Sequence, residues 1–204
     1  MNNFKRYANR EEYIIHQFVN NNEWLSNIVS DVKPDNTGFH DYKLILNDGK
    51  QIIVEIKEEE YYWYSKTGNI GLDFLSAFSF KNDFVKNKYY HNNLWVNKGT
   101  INEFIKEINV DKFGKLFTCD ANIQLFYCED ENKNPILLKA YSNIKLKENS
   151  FVEYLKNNYN LRINNKKNYK LKDDWESAAF FIQPSDKRLE KCEINSYDDL
   201  IGTL

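Results

Sequence analysis

Asp41-Tyr42-Lys43-Leu44-Ile45-Leu46, followed by Asn47-Asp48-Gly49-Lys50 and then Gln51-Ile52-Ile53-Val54-Glu55-Ile56-Lys57, reads as two apolar strands joined by a tight turn. Side chains alternate faces in an extended chain, so Gln51, Ile53, Glu55 and Lys57 point one way and Ile52, Val54 and Ile56 the other. Glu55 and Lys57 are therefore neighbours on one face. Ile52, Ile53, Val54 and Ile56 form an almost continuous apolar run, which suits a strand covered on both sides, where a Glu-Lys pair is costly without a purpose. Two carboxylates brought together hold a hard divalent cation through oxygen, and an adjacent ammonium orients water or offsets phosphate charge. Asp41, Glu55 and Lys57 would thus suit hydrolysis of a nucleic-acid backbone.

The turn decides whether Asp41 joins that pair. A two-residue loop at Asp48-Gly49 sets Asp41 opposite Ile56, on the wrong side. A three-residue loop of Asn47, Asp48 and Gly49, with Gly49 left-handed, sets Leu46 opposite Lys50 and Asp41 opposite Glu55. The longer loop is the expectation, or else an Asp41 that lies just ahead of the ladder.

Asp41 followed by Glu55-Ile56-Lys57 resembles the PD-(D/E)xK nuclease superfamily, with His40 in place of the proline. The resemblance continues into Thr67-Gly68-Asn69-Ile70-Gly71-Leu72-Asp73, as in small phage or bacterial members, and covers roughly residues 10–80. It implies an α/β fold with a central mixed β-sheet flanked by helices, a restriction-endonuclease-like core carrying extra C-terminal strands and helices. It also implies Asp41, Glu55 and Lys57 as catalytic residues, with Asp41 and Glu55 holding Mg2+ or Mn2+. In that superfamily an acid of the first helix sometimes completes the metal shell, which makes Glu11 and Glu12 further candidates, although Glu12 also reads as a cap partner. Asn69 and Asp73 are candidates on the same ground. Glu59 shares the face of Glu55 and Lys57 if the strand continues, and a charged strand end is its plainer role. Relatives that cut two strands usually act as dimers, so a homodimer enters as an implication.

The plain alternative is a half-exposed hairpin on which Glu55 and Lys57 merely flank an apolar stripe. Two function classes follow. One is a metal-dependent endonuclease hydrolysing phosphodiester bonds, with DNA the expected substrate. The other is a catalytically inactive nucleic-acid or protein binding module that retains the nuclease fold.

Length and composition bound the rest. A chain of 204 residues with 42% hydrophobic and 16% aromatic residues buries a core without staples and reads as one domain, with a nuclease-like core at about 10–80 and an extension at about 100–204. No apolar stretch spans a bilayer and Met1 to Arg6 lacks the apolar centre of a secretory signal, so cytoplasmic residence and no membrane partner are expected. Cys119, Cys128 and Cys192 lack zinc-site spacing and read as reduced thiols, so oxygen ligands are favoured over sulfur. His16, His40 and His91 are too scattered in sequence for a metal triad, and His91-Asn92-Asn93 lacks the later histidine of a His-Asn-His nuclease. No phosphate-cradling glycine loop is present.

A net charge of −2 argues against a general DNA-coating protein. Locally, Arg162, Lys166, Lys167, Lys170 and Lys172 are interleaved with Asn164, Asn165, Asn168 and Tyr169, a segment suited to phosphate contact or, more plainly, a solvated loop before Asp173 and Asp174. Elsewhere, Asn9 with Glu12 predicts a helix opening there and reaching about Val29, and Asp31 to Phe39 predicts a loop. Tyr61 to Tyr64 read as packing aromatics. Helices are predicted near Ile101–Ile108 and Phe151–Tyr159, strands over Lys115–Thr118, Ala121–Cys128, Ile136–Leu146 and Ser177–Ile182, and a short terminal helix capped by Ser196.

Overall fold

Asn20-Asn21-Asn22 stop the first helix. In the computed structural model, which describes residues 3–35, 40–167 and 174–204, α1 (Asn3–Asn20) closes with Asn22 Nδ2 donating to Phe18 O at 2.7 Å. Short amides of this kind compete for backbone groups and favour helix ends. The capping-box reading placed the start at Asn9 and the end near Val29. The helix begins earlier because Phe4 to Ala8 contain neither Gly nor Pro, and ends earlier because of the asparagines.

The chain continues through α2 (Glu23–Ser26), β1 (Val29–Pro34), β2 (Tyr42–Leu46), β3 (Gln51–Glu58), α3 (Tyr61–Thr67), β4 (Ile70–Phe80), α4 (Asp83–His91), β5 (Trp95–Val96) and α5 (Ile101–Lys106). Then follow β6 (Ile108–Phe113), α6 (Lys115–Thr118), β7 (Ile123–Glu129), β8 (Pro135–Ser142), α7 (Asn143–Lys147), α8 (Asn149–Asn158), β9 (Leu161–Lys167), β10 (Asp174–Ile182), α9 (Lys187–Glu190) and α10 (Tyr197–Ile201). Two compact units result: residues 1–68, 120–145 and 187–204 form the first, and residues 69–119 and 146–186 the second. The stretch expected to form one core over 10–80 is thus divided at Gly68.

The first unit is α/β, built on a five-stranded mixed sheet in the order β1-β2-β3-β7-β8, antiparallel throughout except for the parallel β3–β7 pair. Ile14, Ile15, Phe18 and Val19 recur at helical spacing on α1 and bury against Leu44, Leu46, Ile52, Val54, Ile123 and Leu125, with Leu25 of α2 joining them. Arg10 ties α1 to the far strand ends, its guanidinium bonding Glu58 at 2.6 Å and Glu129 at 2.8 Å and lying over the Tyr127 ring. Helices thus flank the sheet, α3 lying against β7. β1 takes in Asp31 to Pro34 of the segment read as a loop, and residues 36–39 of it lie outside the described residues; Pro34 is tolerated because β1 is an edge strand, where a missing N–H costs no ladder bond.

The hairpin takes the longer loop. Leu46 N–H donates to Lys50 O at 2.9 Å, Gly49 N–H donates to Leu46 O at 2.9 Å, and Gly49 has φ +84°. Tyr42 pairs with Val54 and Leu44 with Ile52. Gly68, at φ 65°, ends α3. Ser196 caps α10, accepting from Asp199 N–H.

The second unit is an antiparallel sheet ordered β5-β9-β10-β4-β6. Its core uses the chain's aromatic excess: Phe74 meets Phe180 edge-on at 5.1 Å and Phe78 meets Phe104 at 5.5 Å. β4 runs through Asp73, with Leu72 and Phe74 turned inward and Asp73 turned out. Lys115–Thr118 is a helical turn, not a strand; four residues are too few for periodicity to decide. The strand read over Ile136–Leu146 stops at Ser142, where Asn143 starts α7. The basic segment starts as strand β9 and not as a loop.

Candidate active site

β3 lies between β2 and β7, so both of its edges are paired. Ile52 and Val54 enter the core under α1, which turns Glu55 and Lys57 to the opposite face. Glu55 is only 3% exposed. In the parallel neighbour Gln124 stands beside Glu55 and Phe126 beside Lys57, and on β8 Tyr141 stands beside Gln124. Gln124 is buried, its amide donating to Asn143 Oδ1 at 2.7 Å, while Asn143 Nδ2 donates to Ala121 O at 2.9 Å. This relay fixes the amide next to the carboxylate.

One more step of the β2–β3 register sets Asp41 opposite Glu55, and Asp41 lies just ahead of the ladder. Its carboxylate takes over where the ladder stops: Asp41 Oδ2 accepts from Ile56 N–H at 2.6 Å, and Asp41 N–H donates to Val54 O at 3.3 Å. One oxygen is thus anchored by a charge-assisted bond. On the same side of β2 as Glu55 is on β3, Lys43 Nζ pairs with the buried Asp35 at 2.8 Å.

His40 precedes Asp41 and is the residue sequence reasoning passed over. Its side chain is 8% exposed, with Nε2 2.6 Å from Asp120 Oδ1 and Nδ1 3.8 Å from Glu55 Oε2. Among the described residues Nδ1 is buried with no hydrogen-bond partner. A histidine too scattered in sequence for a metal site is therefore brought against the central carboxylate. The signal was its adjacency to Asp41. For Gln124 it was the one amide inside the apolar stretch Ile123–Cys128.

The acids of α1 reach the same end of the sheet. Burial pushes the Tyr42 phenol up to about 12, and the negative charges of Glu12, Glu11 and Asp41 push in the same direction. Glu12 is exposed and Glu11 half-buried. Glu59 lies one residue past β3, with its N–H donating to Tyr127 O at 2.7 Å. Burial raises the Cys128 thiol to about 11, and the charge of Glu59 adds to the effect. The three cysteines are free and buried.

The remaining candidates belong to the second unit. Asn69 lines a cavity of about 460 Å³ with Trp95, Lys98, Tyr159 and Asp186. Asp73 is an exposed mid-strand residue paired with Ala179. Arg162 lies with its guanidinium 5.1 Å over the Trp95 ring and donates to Asn93 O, so its charge already has protein partners. Lys166 and Lys167 lie in β9, and Lys170 and Lys172 fall outside the described residues.

Glu55 offers a carboxylate held out of water and His40 a buried nitrogen with no hydrogen-bond partner among the described residues, 3.8 Å from it, while the Asp41 carboxylate accepts from Ile56 N–H. Among the described residues no helix is long and apolar enough to cross a membrane. No protein-family model matches the chain, and no curated protein or solved structure matches it.

Proposed function

We propose that the first unit is a divalent-metal-dependent endonuclease of the PD-(D/E)xK kind, with a restriction-endonuclease-like core and DNA as its substrate. One observation carries this reading: Glu55, 3% exposed, sits on the central strand two places before Lys57 and opposite Asp41 in register. A carboxylate so placed is held out of water, with the His40 ring 3.8 Å away. The helix-then-hairpin order, and the adjacent strands carrying the acid and the Glu-x-Lys in a mixed sheet, are what the resemblance implies.

Asp41 and Glu55 would hold Mg2+ or Mn2+, which when bound polarises a phosphoryl oxygen and favours ionisation of water. Lys57 orients the attacking water through its ammonium and offsets the charge that gathers on the phosphate oxygens. Water oxygen bonds to phosphorus, the phosphorus–oxygen bond to the neighbouring sugar breaks, and the departing oxygen takes up a proton. Gln124, fixed by Asn143, supplies a neutral amide beside Glu55 without adding charge. Arg162, Lys166, Lys167, Lys170 and Lys172 are the residues proposed to touch phosphate, and two copies would serve two strands.

Supercoiled plasmid incubated with the chain and Mn2+ is expected to be nicked and linearised. Lys57→Ala is expected to slow cutting by about 100-fold or more, the scale of losing one charge-stabilising donor. No cutting by either chain supports the inert binding module instead. Equal cutting by both removes Lys57 from the mechanism.

A further inference from the structure

We propose that His40 is a nitrogen ligand of the same cation site, which therefore takes a first-row transition-metal ion in preference to Mg2+. This rests on the reading above and adds the identity of the ion. The argument starts at the far side of the ring. Nε2 lies 2.6 Å from the carboxylate of Asp120, whose side chain is 82% exposed. A ring nitrogen facing a carboxylate at hydrogen-bond distance carries the proton, which fixes the tautomer and leaves the lone pair of the neutral ring on Nδ1.

That lone pair has no ordinary use. Nδ1 is buried with no hydrogen-bond partner among the described residues, and it faces Glu55 Oε2 across 3.8 Å, too far for a hydrogen bond. Two electron-rich atoms, both stripped of water, face one another across a gap that suits one ion. Nitrogen and carboxylate ligands each sit about 2.0–2.2 Å from a first-row metal, so a separation of 3.8 Å lets a single cation touch both. Asp41 follows His40 directly and lies opposite Glu55 in register, but its carboxylate bonds Ile56 N–H, so the close pair is one imidazole and one carboxylate. Mg2+ demands oxygen ligands and sheds water reluctantly, whereas an imidazole in the set favours transition metals. Asp120 then acts as a positioning residue: the carboxylate behind a metal-bound histidine orients the ring and raises its basicity.

The test uses the whole chain and Mn2+ itself, followed by electron paramagnetic resonance, with Mg2+ as competitor. Bound Mn2+ is expected to show nitrogen coupling in the pulsed spectrum and to resist displacement by a large excess of Mg2+. His40→Gln is expected to abolish the nitrogen signal and to weaken Mn2+ binding by about 10–100-fold, at least the scale of losing an outer-shell partner, with Mg2+ binding unchanged. Asp120→Asn should keep the nitrogen signal while weakening Mn2+ binding by about 10-fold. Circular dichroism checks the fold of each variant, and the parent spectrum with Asp120→Asn decides the matter if His40→Gln does not fold. Mn2+ bound without nitrogen coupling, and equally well by His40→Gln, overturns the proposal while leaving a carboxylate-only site and the nuclease reading standing. No Mn2+ binding by the parent chain overturns both.

Discussion

Asp41→Asn is expected to cut plasmid at least about 100-fold more slowly than the parent chain while unfolding at the same urea concentration. The two readouts separate because Asp41 has two roles. Its Oδ2 accepts the Ile56 N–H at 2.6 Å, closing the end of the β2–β3 ladder, and an asparagine oxygen makes the same bond. What asparagine lacks is the negative charge that a cation shared with Glu55 requires. Asp41→Ala removes both, so it should lose cutting to a similar degree and also about 1.5–3 kcal/mol of stability, the scale of a hydrogen bond to a charged group. Should Asp41→Asn cut as fast as the parent, Asp41 is a ladder cap and nothing more, and the cation site loses its second carboxylate.

Gly114→Ala should be the most damaging single methyl in the second unit. Gly114 has ordinary backbone angles, φ −74° and ψ 172°, so conformational strain is not the reason. Space is. A Cβ built there would lie 2.2 Å from Asp73 O and 2.8 Å from Phe74 C, and both are backbone atoms of β4 that cannot rotate away. Gly114 N–H also donates to Phe74 O at 2.9 Å, which pins the β6–α6 turn to that strand. Relief requires the turn to move off β4, at a cost of about 3 kcal/mol or more, the upper end of overpacking penalties. Gly99→Ala provides the contrast: Gly99 has φ +79° and open space around its Cβ, so only the left-handed conformation is penalised, by about 1 kcal/mol. Urea unfolding of the two variants side by side checks this. Equal midpoints would mean that the close approach of Gly114 to β4 does not hold in solution.

What could be read from the chain was local. The Asn47-Asp48-Gly49 loop and the alternation along Gln51 to Lys57 fix the hairpin register, because loop length and side-chain parity are short-range properties. Burial of Glu55 followed from the apolar run around it. The parallel partner β7 did not, since parallel pairing needs a long crossover and leaves no local mark. The place of Gln124 beside Glu55 and its bond to Asn143 were invisible for that reason, and so was the division of the chain, in which residues 69–119 leave the first sheet before 120–145 return to it. His40 stood in plain view beside Asp41, but its burial against Glu55 and its link to Asp120 are tertiary facts. β1 and α6 were missed on different grounds: Pro34 is compatible with an edge strand as well as a loop, and Lys115 to Thr118 is too short to show a period.

The central claim is that one cation sits between the acids of two neighbouring strands. Crystals of the chain grown with Mn2+ and measured at a wavelength where manganese scatters anomalously test it directly. The account predicts a single strong anomalous peak within about 2.0–2.3 Å of carboxylate oxygens from both Asp41 and Glu55, the range for oxygen ligands of divalent ions. Saturating Mn2+ with no peak there, or a peak held by neither carboxylate, would contradict it.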